Sequence, residues 1–143
     1  MNEHRTAIAR TSISAPARYL TREGLLQGRA LDYGSGRGKD AETLKMEPYD
    51  PHHAPDRPKG KYKTIFCTYV LNVIEDEHDR QSVLDDIQSL LRKNGTAYIT
   101  VRADRQSLNG TTRIGTWQGN IEFNLPLIHT TSTFRTYKME KIQ

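Results

Sequence analysis

Apolar runs alternate with polar, helix-like segments through the middle of the chain. These runs, two of them rich in β-branched and aromatic side chains, predict strands over Arg29–Tyr33, Tyr62–Val70 and Thr96–Val101. Before Asp50, prolines on both sides limit a further strand to a few residues. Strands separated by helical segments are typical of a mostly parallel sheet with crossover helices, so an α/β fold is predicted.

Three helices are predicted from spacing and from residues that start or end helices. A proline in the first turn and Gly24 just past the end predict a helix from about Pro16 to Glu23. A short polar helix is predicted over Lys39–Lys45. The third begins at Glu75 with acids in its first turn and closes at Asn94-Gly95. Its apolar face consists of Val83, Ile87, Leu90 and Leu91.

The tail departs from this alternation, because it is punctuated by glycine and rich in threonine. Ile114–Trp117 and Asn120–Phe123 are predicted to pair as a hairpin, and Leu127–Tyr137 is predicted to add another strand. We therefore expect a single domain over residues 1–143. It comprises an N-terminal arm and helix (1–28), an α/β core (29–104) and a β-rich tail (105–143).

Length and charge restrict the class of protein. The 143 residues suffice for one core, and no apolar run approaches the roughly 20 residues of a membrane helix. We therefore expect a cytoplasmic protein without membrane contact. The net charge of +4 makes nucleic acid a candidate partner, although an ordinary solvated surface explains the same charge. The single cysteine, Cys67, lies in an apolar run and is expected to be buried rather than nucleophilic.

Glycine occupies every second position directly after the first predicted strand, at Gly34, Gly36 and Gly38. Such a turn between a strand and a helix lets bare backbone approach a small ligand. The dinucleotide pattern G-x-G-x-x-G fails from Gly34 because Lys39 stands at its last position; from Gly36 only a looser form ending in Ala41 is met. A P-loop lacks its four-residue spacer here. Ligand binding is therefore predicted, with a dinucleotide as the less favoured ligand.

The residues around this turn resemble the first motif of class I S-adenosylmethionine-dependent methyltransferases. The motif here reads Leu31-Asp32-Tyr33-Gly34-Ser35-Gly36-Arg37-Gly38. Asp50 resembles the ribose-binding acid of that family, and Cys67–Ile74 resembles the end of its fourth strand. A narrower likeness is carried by His4–Ile8, Tyr49-Asp50-Pro51 and Val70–Asp76. It is to a bacterial and phage group that includes methyltransferases associated with DNA phosphorothioation.

The resemblance implies a Rossmann-like fold, S-adenosylmethionine as cofactor and methyl transfer to an acceptor that the sequence does not identify. The implied cofactor-binding residues are Asp32, Tyr33, Gly34, Gly36, Gly38, Asp50, Thr68 and Val70. The candidate catalytic residues are Thr68, Tyr69, Asn72 and His53. Asp50 is expected to accept both ribose hydroxyls, with a turn carboxylate before Pro51 as the alternative. No metal site is expected, because neither Cys67 nor His78 supplies a pattern of ligands.

The chain also departs from the family pattern. The stretch from Asp50 to Tyr62 is short and rich in proline, so the usual third strand and its helix are expected to be missing. The adenine pocket is then expected from the loop over residues 51–61, and the tail is short for the usual last two strands. Two alternatives to methyl transfer follow. One is a cofactor-binding module without transferase activity, and the other is an enzyme that cleaves S-adenosylmethionine.

Overall fold

The structure is a computed structural model, and it describes residues 12–50, 53–103, 110–111, 117–119 and 121–142. The helices are α1 (Ala15–Arg22), α2 (Lys39–Leu44) and α3 (Glu77–Leu90), with a 3-10 turn over Leu71–Val73. The strands are β1 (Ala30–Tyr33), β2 (Glu47–Tyr49), β3 (Tyr62–Thr68), β4 (Leu91–Arg102), β5 (Gly110–Thr111), β6 (Trp117–Gln118), β7 (Leu127–Thr130) and β8 (Phe134–Glu140). Most of the predicted N-terminal arm lies outside the described residues. None of the helices in the described ranges has the length and apolar character needed to cross a membrane.

Six strands form one sheet in the order β2-β1-β3-β4-β8-β7. The strands β2, β1, β3 and β4 are parallel, whereas β8 is antiparallel to β4 and β7 is antiparallel to β8. This order confirms the predicted α/β, Rossmann-like fold. Because β1, β2 and β3 are parallel, their carboxyl ends lie at the same edge of the sheet.

Each face of the sheet has its own core, because successive side chains of a strand point to opposite faces. On one face Leu31 and Ile65 pack with Ile87 of α3, and all three are fully buried. On the other face Phe66 packs with Leu20 of α1, and α2 contributes to the same cluster. The apolar face predicted for the third helix is therefore part of the core.

Two element boundaries differ from the prediction by two residues for local reasons. The strand β3 ends at Thr68, because Tyr69 adopts a φ of +61° and turns the chain out of the extended conformation. The helix α3 begins at Glu77, because Asp76 is its N-cap and accepts hydrogen bonds from N–H groups of the first turn.

The predicted end of the third helix at Asn94-Gly95 is wrong. The helix ends at Leu90 and β4 begins at the next residue, so that this pair lies inside the strand. The register between β3 and β4 shifts at this point. A Cβ atom on Gly95 would lie 2.8 Å from the carbonyl oxygens of both Arg92 and Tyr62. The glycine therefore serves the close approach of two strands rather than the end of a helix.

The predicted pairing of Ile114–Trp117 with Asn120–Phe123 is also wrong. The strand β6 pairs instead with β5, and residues 121–123 lie in no strand, while residues 112–116 and 120 are outside the described ranges. The N–H of Gly119 donates to the carbonyl of Asn72 at 2.8 Å. This bond joins the residue after β6 to the 3-10 turn, and the described residues that follow, 121–123, do not pair with β6.

The segment Leu127–Tyr137, predicted as a single strand, is two strands joined by a tight turn. The hydroxyl of Thr131 accepts hydrogen bonds from the N–H groups of Thr133 (3.1 Å) and Phe134 (3.0 Å), which stabilises the turn. The tail therefore supplies two strands beside β4, and the expectation that it is too short for them is wrong.

The sheet ends at β2, so in the described part of the chain no strand occupies the place of the expected missing third strand. The carbonyl of Tyr49 accepts hydrogen bonds from the N–H groups of Gly34 (2.6 Å) and Ser35 (2.9 Å), so the backbone groups of Tyr49 face the interior of the sheet. The backbone of the preceding residue, Pro48, faces the open edge instead, and proline has no N–H group. The open edge of the sheet thus offers no donor at its central residue to a further strand.

A segment that we call the strap, residues 53–59, covers the region beside this edge. Arg57 of the strap donates two hydrogen bonds to Asp86 of α3, at 2.8 and 2.9 Å. Asp86 also accepts a hydrogen bond from the hydroxyl of Tyr33 at 2.5 Å, and the Arg57 guanidinium lies 5.2 Å from the centre of the Tyr49 ring. The bonds to Arg57 and Tyr33 hold the pKa of Asp86 below its ordinary value, against the effect of burial.

We expect Asp86→Ala to destabilise the protein more than Arg57→Ala. Removing the carboxylate leaves the Tyr33 hydroxyl unpaired, which costs about 1–3 kcal/mol of unfolding free energy. The Arg57 side chain is 54% exposed, so its removal is expected to cost less than about 1 kcal/mol. Urea unfolding of both variants measures the difference, and equal costs would contradict the central role of Asp86.

Candidate functional site

The candidate site is built on the turn that joins β1 to α2. Gly34, Gly36 and Gly38 have φ values of +83°, +57° and +85°, in the left-handed region that favours glycine. Gly38 is also the N-cap of α2, and its N–H donates to the carbonyl of Ser35 at 2.9 Å. Each of the three alternating glycines of the sequence therefore occupies a left-handed backbone position that a residue with a side chain rarely adopts.

The turn lies against the chain that follows β3. A Cβ atom on Gly34 would lie 2.2 Å from Cγ2 of Val70, so only glycine fits at this position. Tyr69, the residue before Val70, has a positive φ, which turns the chain after β3. Two of the predicted cofactor-binding residues, Gly34 and Val70, are thus brought into direct contact.

The carboxylate of Asp50 holds the turn from the end of β2. One oxygen accepts the N–H of Gly36 at 2.9 Å, and the other accepts the N–H of His53 at 3.0 Å. Backbone bonds between Asp50 and Ala54, both of 2.9 Å, close the loop that begins the strap. Asp50 therefore has the structural role that was the alternative in the sequence. Each carboxylate oxygen has a second lone pair, so the ribose role stays a prediction.

Asp32 lies at the end of β1 with only 3% of its surface exposed. Within the described ranges its carboxyl group accepts no hydrogen bond. Burial, together with the nearby carboxylates of Asp40 and Asp50, raises the pKa of Asp32 to about 8. Its surroundings therefore favour the protonated form of Asp32.

Asp40, in the first turn of α2, connects the turn to α1. Its carboxylate accepts the backbone N–H of Ser14 at 2.7 Å and the hydroxyl of Ser14 at 2.6 Å. The same hydroxyl accepts the N–H of Ala17 at 3.2 Å as the N-cap of α1. Ser14 is 2% exposed and Asp40 is half-buried, so this link is partly shielded from water.

The residues after β3 form the other side of the site. Oγ1 of Thr68 is buried and has no hydrogen-bond partner among the described residues. The N–H of Tyr69 donates to the carbonyl of Thr100 at 2.9 Å, and Arg102 lies 5.5 Å from the centre of the Tyr69 ring. Asn72, in the 3-10 turn, is 1% exposed. Thr68, Tyr69 and Asn72 thus follow one another at the carboxyl end of β3, as the sequence predicts.

Two predicted site residues are placed differently from the rest. The Tyr33 side chain extends to Asp86 on the α3 face, so only its backbone belongs to the turn. The His53 side chain is exposed on the strap, whereas its N–H contacts Asp50. His52, its neighbour in the sequence, lies outside the described residues. Burial raises the pKa of the Cys67 thiol, which agrees with the expected inert role of this residue.

Sequence reasoning missed the contacts of Asp40 and Asp86. Asp86 lies three residues after Val83 and one before Ile87, next to the apolar face of α3. Because a carboxylate at such a position requires a partner, its place in the sequence could have indicated the contact of Asp86. The contact between Ser14 and Asp40 joins residues distant in sequence, and no local pattern indicates it. Within the described ranges, no group of three or more His, Cys, Asp or Glu side chains is placed to hold a metal ion.

A family model described as a methyltransferase domain matches residues 1–134. The chain belongs to this methyltransferase domain family. The family match confirms the methyltransferase resemblance found in the sequence. The narrower likeness to the phosphorothioation-associated group receives no support from it and stays a prediction. No curated protein matches this methyltransferase domain.

Solved methyltransferase structures share the fold of this methyltransferase domain. A possible histamine N-methyltransferase from Thermotoga maritima gives a TM-score of 0.62 at 12% identity, covering 98% of this chain and 92% of that one. DhpI in its SAH complex gives 0.59 at 16% identity, covering 87% and 82%. The N-methyltransferase NodS from Bradyrhizobium japonicum, in complex with S-adenosyl-L-homocysteine, gives 0.57 at 10% identity, covering 90% and 85%. At these identities the likeness establishes the fold.

We expect Gly34→Ala to destabilise the protein more than Gly38→Ala. Both positions have nearly the same positive φ, so both variants incur about 1–2 kcal/mol of backbone strain. Only at Gly34 does the new methyl group also collide with Val70, whereas no atom lies within 4 Å of it at Gly38. The collision is expected to add about 1–3 kcal/mol, measured by urea unfolding. Equal losses in the two variants would show that Val70 does not press against the turn.

We expect Asp32→Asn to stabilise the protein increasingly as the pH rises. The pKa of Asp32 is about 8 in the folded chain and 3.8 as its ordinary value, so between these values the folded state binds more protons than the unfolded state. The stability of the original chain therefore falls as pH rises through this window, and asparagine removes that loss. The gain at pH 8 is on the order of 5 kcal/mol. A stability difference that does not change between pH 5 and pH 8 would contradict a protonated Asp32.

Proposed function

We propose that this chain transfers a methyl group from S-adenosylmethionine to an acceptor molecule. The observation that carries the proposal is the meeting of three features at one edge of the sheet. These are the glycine turn, the carboxylate of Asp50 and the chain after β3, and they meet in a chain of the methyltransferase domain family. Ligands of open α/β sheets bind at the carboxyl ends of the strands, which supports a cofactor at this place.

The residues present fit the chemistry of this cofactor. Its ribose offers two hydroxyl donors, and the carboxylate of Asp50, at the end of β2 beside the glycine turn, is an acceptor of the kind that such hydroxyls require. Its amino acid end carries an ammonium and a carboxylate. Around the turn lie the buried Asp32 and the hydroxyl groups of Ser35 and Thr68, both buried and without a partner in the described part of the chain. Buried polar groups of this kind require a partner, and the ligand supplies one.

The strap takes the place of the missing third strand in this proposal. The bridge between Asp50 and Ala54 directs residues 53 and 54 back alongside the proposed ribose site. The beginning of the strap is therefore the part of the chain that would hold the adenine. This assignment agrees with the role expected for the loop over residues 51–61.

The work of the protein in methyl transfer is alignment. When bound, the cofactor would supply an activated methyl group: an acceptor lone pair bonds to the methyl carbon, the carbon–sulfur bond breaks, and its electron pair stays on the sulfur. Thr68, Tyr69 and Asn72 lie on the acceptor side, where they position the acceptor and exclude water. His53, the remaining catalytic candidate, is exposed on the strap. The proposal therefore assigns it contact with adenine or solvent rather than proton transfer.

The acceptor is not identified by the sequence. The basic net charge of the chain allows DNA or RNA, and DNA can be tested directly. A filter-binding assay at low salt measures binding to duplex and single-stranded DNA, and the absence of binding to both would remove DNA from the candidates.

Two other functions would give different results with labelled cofactor. A binding module leaves the cofactor intact, and a cleaving enzyme breaks it without an acceptor.

Calorimetry with S-adenosylmethionine and S-adenosylhomocysteine tests the proposed cofactor. Both ligands are expected to bind, because both contain the ribose and the amino acid end. Asp50→Asn is expected to weaken binding at least about tenfold, since the ribose hydroxyls lose a charged acceptor. Asp85→Asn makes the same change on the exposed face of α3 and is expected to bind like the original chain. If neither ligand binds, the proposed function is wrong.

A further inference from the structure

Asp32 is a buried acid for which the described part of the chain provides no hydrogen-bond donor and no opposite charge. Its side chain is almost fully buried at the end of β1, directly before the glycine turn. Its two neighbouring carboxylates, by contrast, accept hydrogen bonds: Asp40 from Ser14, and Asp50 from the N–H groups of Gly36 and His53. An ionised carboxylate without donors is costly to bury, so the burial of Asp32 favours its protonated form.

The groups that face Asp32 from the surrounding elements reinforce this state. Asp40 of α2 and Asp50 at the end of β2 both repel a negative charge at Asp32. The thiol of Cys67 on β3 lies close enough to interact with it, and its burial keeps it neutral. The phenol of Tyr33, the next residue, is bonded to Asp86 on the opposite face and does not compensate Asp32.

A cationic ligand changes this balance. The proposed cofactor carries an ammonium group and a positive sulfur, and either charge near the turn favours the ionised form of Asp32. We propose that ligand binding drives a proton off Asp32, so that the chain exchanges one proton for its cofactor. This inference rests on the proposed function, and it adds a coupling between cofactor affinity and pH.

The exchange is balanced in atoms and charge. The O–H bond of the Asp32 carboxylic acid breaks, its electron pair stays on the carboxylate, and the proton passes to the solvent buffer. The positive charge of the bound ammonium then takes the place of that proton. S-Adenosylhomocysteine carries the same ammonium group, so it is expected to release the proton as well. Binding of either ligand is expected to strengthen about tenfold for each pH unit between pH 5.5 and 7.

Calorimetry at pH 6.5 in buffers of different ionisation enthalpy measures the released proton directly. The slope of the observed enthalpy against the buffer enthalpy gives the number of protons, and about one per ligand is expected. Working below pH 7 keeps the ligand's α-amino group charged, because such groups have a pKa of roughly 7.7–8.0. A slope of zero for the original chain, with binding present, overturns the inference.

Three variants assign the proton to its source. Asp32→Asn is expected to abolish the slope and the pH dependence of affinity below pH 7. Asp85→Asn, on the exposed face of α3, is expected to release one proton like the original chain. His53→Gln removes an exposed imidazole of the strap but keeps the backbone N–H that contacts Asp50, and it is expected to keep the release as well. If the release disappears in His53→Gln or persists in Asp32→Asn, the proton does not come from Asp32. The absence of any bound ligand in equilibrium dialysis would instead contradict the proposed function.

Discussion

The hydrogen bonds of Asp50 are the constraint on which the rest of the site depends. One carboxylate joins the end of β2, the middle of the glycine turn and the start of the strap, through Gly36 and His53. Backbone bonds from the turn to Tyr49 run beside it. The turn reverses at three glycines with positive φ, and a backbone bond from the N–H of Gly38 to the carbonyl of Ser35 closes its second half. The carboxylate of Asp50, directly after β2, adds the bond to its middle residue, Gly36, and ties it to the strap.

The loss of a third strand and helix is compensated at the edge of the sheet. Pro48 removes the outward N–H that would attract another strand, and the strap is tied down through Arg57 and Asp86. These are polar and partly exposed contacts, whereas a strand and helix would bring apolar burial. The stability of this region therefore depends mainly on the half-buried hydrogen bond between Tyr33 and Asp86 rather than on the more exposed ion pair beside it.

The sequence allowed the α/β order and the residues of the glycine turn to be predicted, because their signals are local. Gly34, Gly36 and Gly38 and the apolar face around Ile87 fall where their pattern indicates. The helix end predicted at Asn94-Gly95 was wrong, because a pair that often ends a helix also permits a close approach between two strands. The bonds of Asp40 and Asp86 join residues far apart in sequence, and only the folded chain brings them together.

The contact between Ser14 and Asp40 also has a practical meaning for engineering the chain. It fixes the start of α1 beside the glycine turn, so a fusion partner joined directly to α1 would begin close to the turn. Near the other end of the chain, the N–H of Lys141 donates to the carbonyl of Gly95, in the amino-terminal half of β4 and away from the turn. A fusion partner joined directly after β8 would therefore begin away from the carboxyl ends of the parallel strands.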